Sequence, residues 1–322
     1  TGSYNVALGV DALRLNTTAS NNTAVGYQAA YTQWGANNIA MGYQSLYGNG
    51  GTSGTATGVQ NVTVGNQAMY SNLGGNCNLV MGFQSMFNNT SGSNNVALGH
   101  NALLSNTTAS SNTAVGYQAG YSNTTGLLTA VGYQAAYSST SANPIDAFGY
   151  KALYSNSTGA SNVAFGTQAL QYNTTGNNNT AVGLQALYSN TTGPSNTSIG
   201  YQSLFNNTTS SRNTAVGYQA GYSNNTTGAN TYLGYQAGYT ANGAANGLTF
   251  VGDSAGYSAT TGTFNTFVGQ SSGYNVTSGS KNTIIGCYSG NSGGLDIRTA
   301  SSYIVLSDGD GNPRQVIDNN GS

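Results

Sequence analysis

Three residues near the C-terminus are the first that could do chemistry. Asp308, Asp310 and Asn312 stand at i, i+2 and i+4, the spacing at which a calcium loop supplies its first ligands. The loop's conserved-type glycine and its distal Glu are missing, and the chain has no Glu at all. The stretch therefore reads as a turn that keeps a fragment of a calcium signature. Sequons are abundant, and nine at one repeat position, Asn16, Asn89, Asn106, Asn123, Asn156, Asn173, Asn190, Asn207 and Asn224, offer a second kind of chemistry, N-glycosylation. A chain this rich in Asn, Ser and Thr also generates such triplets by chance.

No catalytic set emerges. General acid–base work needs titratable groups brought together. His100 is the one histidine and sits among Leu98, Leu103 and Leu104; Asp11 and Asp146 are isolated. Cys77 and Cys287 have neither zinc nor redox spacing and read as two unlinked thiols. The expectation is a protein that is not an enzyme, with no catalytic residues, no cofactor and no metal beyond the C-terminal fragment.

What must position these residues is a repeat. Charged residues make up 4% of the chain, against about a quarter in ordinary domains. Gly, Asn, Ser and Thr dominate, which disfavours helices and favours turns and strands. Apolar residues nevertheless recur at fixed positions, unlike in a disordered chain. The net charge of −1 gives no basic footprint for nucleic acid. No apolar run reaches the length of a membrane span. The opening "TGSYN" reads as the interior of something longer.

Aligned on the glycine of "A-V-G", seventeen copies run from Gly9 to Gly286, mostly 17 residues apart. One long step holds an insertion at 48–60, expected to protrude without breaking the register. A step this short suits one coil of a β-solenoid, each coil stacked on the last.

With the glycine as position 0, position −1 is always apolar and +3 is always Ala or Ser. Their shared parity predicts that both face the inside of the coil. Positions −2 and +4 trade sizes. Tyr232, Phe250, Phe267 and Ile284 at −2 accompany Gly238, Gly256, Gly273 and Gly290 at +4. This predicts a shared space, read as a second buried face that copies of the chain would cover.

Asn at −4 and Gln at +2 predict amide ladders, with Asn marking a corner. Tyr at +5 and +1 predicts ring stacks that could also stack sugars. The sequons, at +7, are expected in an outer loop. An ice-binding array would need an unbroken Thr face, but Thr at −3 alternates with Val, Ile and Leu.

The repeat resembles two groups. "NVALG", "NTAVG" and "NTIIG" with a small residue at +3 are similar to the head repeats of trimeric autotransporter adhesins. The departure is the length: that family's repeat is shorter, and the extra residues fall in "SNTTG". "NTAVGYQAGYSNTTG" and the ending from "NTIIGCYSG" onward resemble bacteriophage tail-fibre or tail-spike shafts. The resemblance implies a parallel β-roll, three chains around one axis, and a place outside the cell or on a virion.

The expectation is thus an all-β parallel β-solenoid of about seventeen 17-residue coils, forming a homotrimeric fibre. Residues 1–292 form the shaft. Residues 293–322, reading as strand, turn at "DGDGNP" and strand, form a hairpin cap. Two functions fit: a fibre shaft holding a receptor-binding tip and touching cell-surface glycans, or a structural filament joined end to end with no specific receptor.

Overall fold

The computed structural model describes residues 2–48, 57–140, 144–225, 228–242 and 246–322. Most of the expected insertion, residues 49–56, lies outside them. The chain divides into two compact units, Thr1–Ser161 and Asn162–Ser322. Each is a parallel β-solenoid, and neither has a helix among the described residues.

The first unit stacks β1 (Val6–Leu8), β2 (Thr23–Val25), β3 (Ile39–Met41), β4 (Val62–Val64), β5 (Leu79–Met81), β6 (Val96–Leu98), β7 (Thr113–Val115), β8 (Leu128–Val131) and β9 (Ile145–Phe148). Each pairs in parallel with the next, one repeat on: Val6 opposite Thr23, Thr113 opposite Thr129. Register survives the long step, since Met41 of β3 still faces Val64 of β4.

The second unit continues the pattern with β10 (Asn162–Phe165), β11 (Thr180–Val182), β12 (Thr197–Ile199), β13 (Thr214–Val216), β14 (Thr231–Leu233), β15 (Thr249–Val251), β16 (Thr266–Val268) and β17 (Thr283–Ile285). β18 (Ile304–Ser307) adds in parallel to β17, and β19 (Pro313–Ile317) returns antiparallel to β18.

The strands are short because the anchor glycine ends them. Its φ lies between +108° and +143° in all seventeen copies, a region nearly closed to other residues. A tight turn follows, with the +3 amide donating to the glycine carbonyl, as in Ala186 N to Gly183 O at 3.4 Å. Left-handed residues at +2 and +4, such as Gln185 (φ 57°) and Leu187 (φ 51°), bend the chain again. A third lies at −5, as in Asn178 (φ 59°). The αL corner is therefore at −5, not at the −4 Asn.

This geometry corrects the interior assignment. Parity holds only while a strand stays extended, and the glycine resets it. Position −2 is fully buried in nearly every coil, as in Ala24, Ala114, Ala181 and Phe250. Positions +3 and +4 join it, as in Ala186 and Leu187. Position −1 points outward. So −2 and +4 do share a space, but it is the coil's own core and needs no neighbour to cover it. Each fully buried Leu or Met at +4 contributes roughly 1.5–3 kcal/mol.

Where −2 is large, +4 is Gly and the polar +7 position turns apolar, at Ala241, Ala259 and Val276. Phe250 and Phe267 stack at 4.8 Å within the core of the second unit. The Asn column at +7 ends there, with the Tyr232 hydroxyl donating to Asn224 Oδ1 at 3.4 Å. Full burial pushes the Tyr232 phenol far up, so it acts only as a neutral donor.

Candidate functional site

The described surface offers no catalytic grouping, so the candidate site is built from the columns each coil presents outward. A three-residue strand with its centre buried must turn its flanks out, giving the half-buried, buried, half-buried pattern of β2, β7 and β11. The −3 and −1 side chains therefore form two adjacent columns in each unit. The −1 column is apolar throughout and much exposed, as at Met41 and Met81 in the first unit and Phe165, Ile199, Leu233 and Ile285 in the second, whereas −3 is apolar at Ile39 and Leu79 but Thr in every second-unit coil after β10. β18 extends both columns with Ile304 and Leu306, while Val305 between them is buried. Asp146 is the one charged residue on them.

Past the glycine turn, aromatic rings at +1 and +5 flank the +2 column. Lys151, the +2 residue of its coil, lies 5.5 Å from the Tyr150 ring and 5.3 Å from the Tyr154 ring. Elsewhere +2 is mostly Gln, and the expected amide ladder is present. Gln134 Nε2 donates to Gln118 Oε1 at 2.9 Å, and Gln202 Nε2 to Gln185 Oε1 at 2.8 Å. The rings stack along each unit, as in Tyr133 on Tyr150 at 5.2 Å and Tyr257 on Tyr274 at 4.9 Å. The expected ring stacks are therefore present. Within a run, each inner ring has one face against the coil above and the other against the coil below.

The Asn at −4 acts differently from the Gln. Its Oδ1 accepts the backbone N–H of the −4 residue one coil on, as from Asn179 N to Asn162 Oδ1 at 2.9 Å. Its Nδ2 reaches a carbonyl of the next coil, as from Asn179 to Gly193 O at 2.9 Å. Because the acceptor bond uses only backbone of the next coil, Leu128 can follow Asn112 and still be held, at 2.8 Å. The Asn112 Nδ2, though, then has no partner.

The sequon residues are not in an outer loop. Asn89, Asn106, Asn123, Asn156, Asn173, Asn190, Asn207 and Asn224 are fully buried, and Asn16 is half-buried. Asn190 Nδ2 donates to Asn173 Oδ1 at 2.8 Å and to Gly193 O at 3.0 Å, while its Oδ1 accepts from Asn207 at 2.8 Å. A glycan on that nitrogen would remove the ladder, so the folded coil gives the sequons a structural task. Sequence reasoning missed this because a polar residue in a Ser/Thr-rich stretch reads as surface. The signal was its recurrence at one position, which in a stacked fold is the mark of a ladder.

The calcium-spaced residues form a closed turn. Asp308 accepts from the backbone amides of Asn312 at 2.8 Å and Asp310 at 3.1 Å, and pairs with the Arg314 guanidinium, whose Nε lies 2.8 Å away. The Asn312 amide and then Arg314 hold its carboxyl at about 2. Asn312 turns its Nδ2 toward the same carboxylate. The Asp308 carboxylate, engaged by a guanidinium and two backbone amides, closes the turn. No group of three His, Cys, Asp or Glu able to hold a metal occurs among the described residues. Both cysteines are free, Cys77 exposed and Cys287 half-buried. His100 stacks between Phe83 and Tyr117 in the +1 column, at 5.0 and 5.3 Å.

No protein-family model matches this chain, and no curated protein matches it either. No helix among the described residues is long and apolar enough to cross a membrane.

Proposed function

We propose that this chain is the shaft of an extracellular or virion-surface fibre, a phage tail fibre or a trimeric adhesin. In that reading it holds a receptor-binding tip and contacts cell-surface glycans along its sides. The observation that carries it is the exposed apolar −1 column, flanked by a −3 column of Thr and aliphatic residues and repeated coil after coil at strand spacing. A charge-poor surface of fixed period is matched best by another surface of the same period, and a second and third copy supply it. The partner is thus a homotrimer, assembled through −3 and −1 rather than through −2 and +4. The β18–β19 hairpin serves as a cap: its antiparallel strand, opening with Pro313 and Arg314, shields the edge of the stack.

Sedimentation of the purified chain tests this. Discrete trimers are expected, and Val182→Lys with Val216→Lys should dissociate them while leaving the strand content unchanged. Long polymers would favour the end-to-end filament instead. A stable monomer at high concentration would sink both.

A further inference from the structure

We propose that the exposed +1 tyrosine ladders are sites of oxidative cross-linking, where neighbouring coils of one chain become joined through dityrosine. In the first unit Tyr117, Tyr133 and Tyr150 form such a ladder. Their ring centroids are 5.2 Å apart at both steps, and the planes lie within 12° of parallel. In the second unit Tyr201, Tyr218 and Tyr235 repeat it, at 5.1 Å for both steps and within 12°. All six residues are 39–49% exposed. Each phenol's ring carbons therefore lie against those of the next, open to a soluble oxidant. The +5 rings stack as closely but are less exposed, and burial raises the phenols of Tyr137 and Tyr222.

The chemistry needs an external oxidant, hydrogen peroxide acting through a haem peroxidase. Each phenol gives up one electron and one proton and becomes a phenoxyl radical. Two stacked radicals join by a new carbon–carbon bond between ring positions ortho to the oxygens. Both ortho C–H bonds then break as the rings regain aromaticity and their O–H groups. Two tyrosines lose two hydrogen atoms, the peroxide O–O bond breaks, and two waters form. The repeat supplies the proximity: a radical made anywhere on the ladder has its coupling partner already in van der Waals contact. The product is a solenoid laced coil to coil on its outer side. This inference does not depend on trimer formation.

Dilute full-length chain treated with a haem peroxidase and limiting peroxide, then digested and mapped by mass spectrometry, tests the idea. The expected links are Tyr117–Tyr133, Tyr133–Tyr150, Tyr201–Tyr218 and Tyr218–Tyr235, each two hydrogen atoms lighter than the unlinked pair. Tyr133→Phe should abolish both links of the first ladder and leave both of the second. Phenylalanine keeps the stack, as Phe83 does beside His100 in the same column, so loss of fold does not confound the result. Denatured chain should lose the site preference. The proposal is overturned if links are absent, occur mainly between chains or in the +5 column, or show the same pattern in folded and denatured protein.

Discussion

Replacing Gly183 by alanine should cost on the order of 3–5 kcal/mol, among the largest effects of any single substitution in the chain. Gly183 has φ +132°, where an L-residue is strained whatever its surroundings. A methyl group there would also stand 2.5 Å from the carbonyl oxygen of Gly200 and 2.8 Å from its carbon. Those are backbone atoms of the next coil and cannot swing aside. Relief requires the two coils to part, which breaks the Gly200 N to Val182 O bond of 2.8 Å. The control is Ala186→Ser, three residues on, where Ser203 already fills the equivalent site of the next coil. It should cost under about 1 kcal/mol. Denaturant unfolding of both variants checks the pair.

The second large effect comes with its own rescue. Tyr232→Ala should cost about 3–5 kcal/mol, because a fully buried ring leaves a cavity. That ring occupies the space of two absent side chains. A Cβ on Gly221 would lie 2.5 Å from Tyr232 Cδ2, and one on Gly238 would collide with the ring's opposite edge. Coils with Ala at −2, such as that of Ala181, fill the same space with Leu at +4. Leu is tolerated there in the left-handed conformation, as Leu187 (φ 51°) and Leu204 (φ 48°) already demonstrate. The triple variant Tyr232→Ala, Gly221→Leu, Gly238→Leu should therefore recover most of the loss, while Gly238→Leu alone destabilises by overpacking. Strictly additive losses would mean that −2 and +4 do not share a core.

The size exchange between −2 and +4 was legible in the sequence, and so were the period and the Gln ladder. Each rests on one column compared with itself, and stacking turns such a column into a contact. What failed was inference across the turn. The parity argument carried −1 and +3 through Gly183 and its equivalents as if the chain stayed extended, and so turned Val182 inward and Ala181 outward. A glycine in every repeat already signalled a φ that parity cannot survive. A different slip placed Asn190 outside. Its neighbours Thr191 and Thr192 suggest surface, but an amide with donors and an acceptor in one plane suits a buried ladder.

Asp308 shows the opposite limit. Its spacing to Asp310 and Asn312 was visible, yet Arg314, which occupies the carboxylate, is only a further i+6 neighbour until the turn closes. The exposed apolar columns were hidden for a related reason. Val, Leu and Ile at −1 look like core, and only the three-residue strand with Ala at its centre makes them surface.

Thiol accessibility on either side of that strand tests the account most directly. In a chain with Cys77 and Cys287 replaced by serine, a single cysteine is introduced by Ala181→Cys or by Val182→Cys. Cysteine fits at 181, since Thr63, Val80 and Ser198 already fill the equivalent position. The expected result is that Ala181→Cys labels only on unfolding at every protein concentration. Val182→Cys should label quickly in dilute chains and be protected as they associate. Rapid labelling of Ala181→Cys in folded protein, with Val182→Cys silent even when dilute, would contradict the inside-outside assignment on which the whole reading stands.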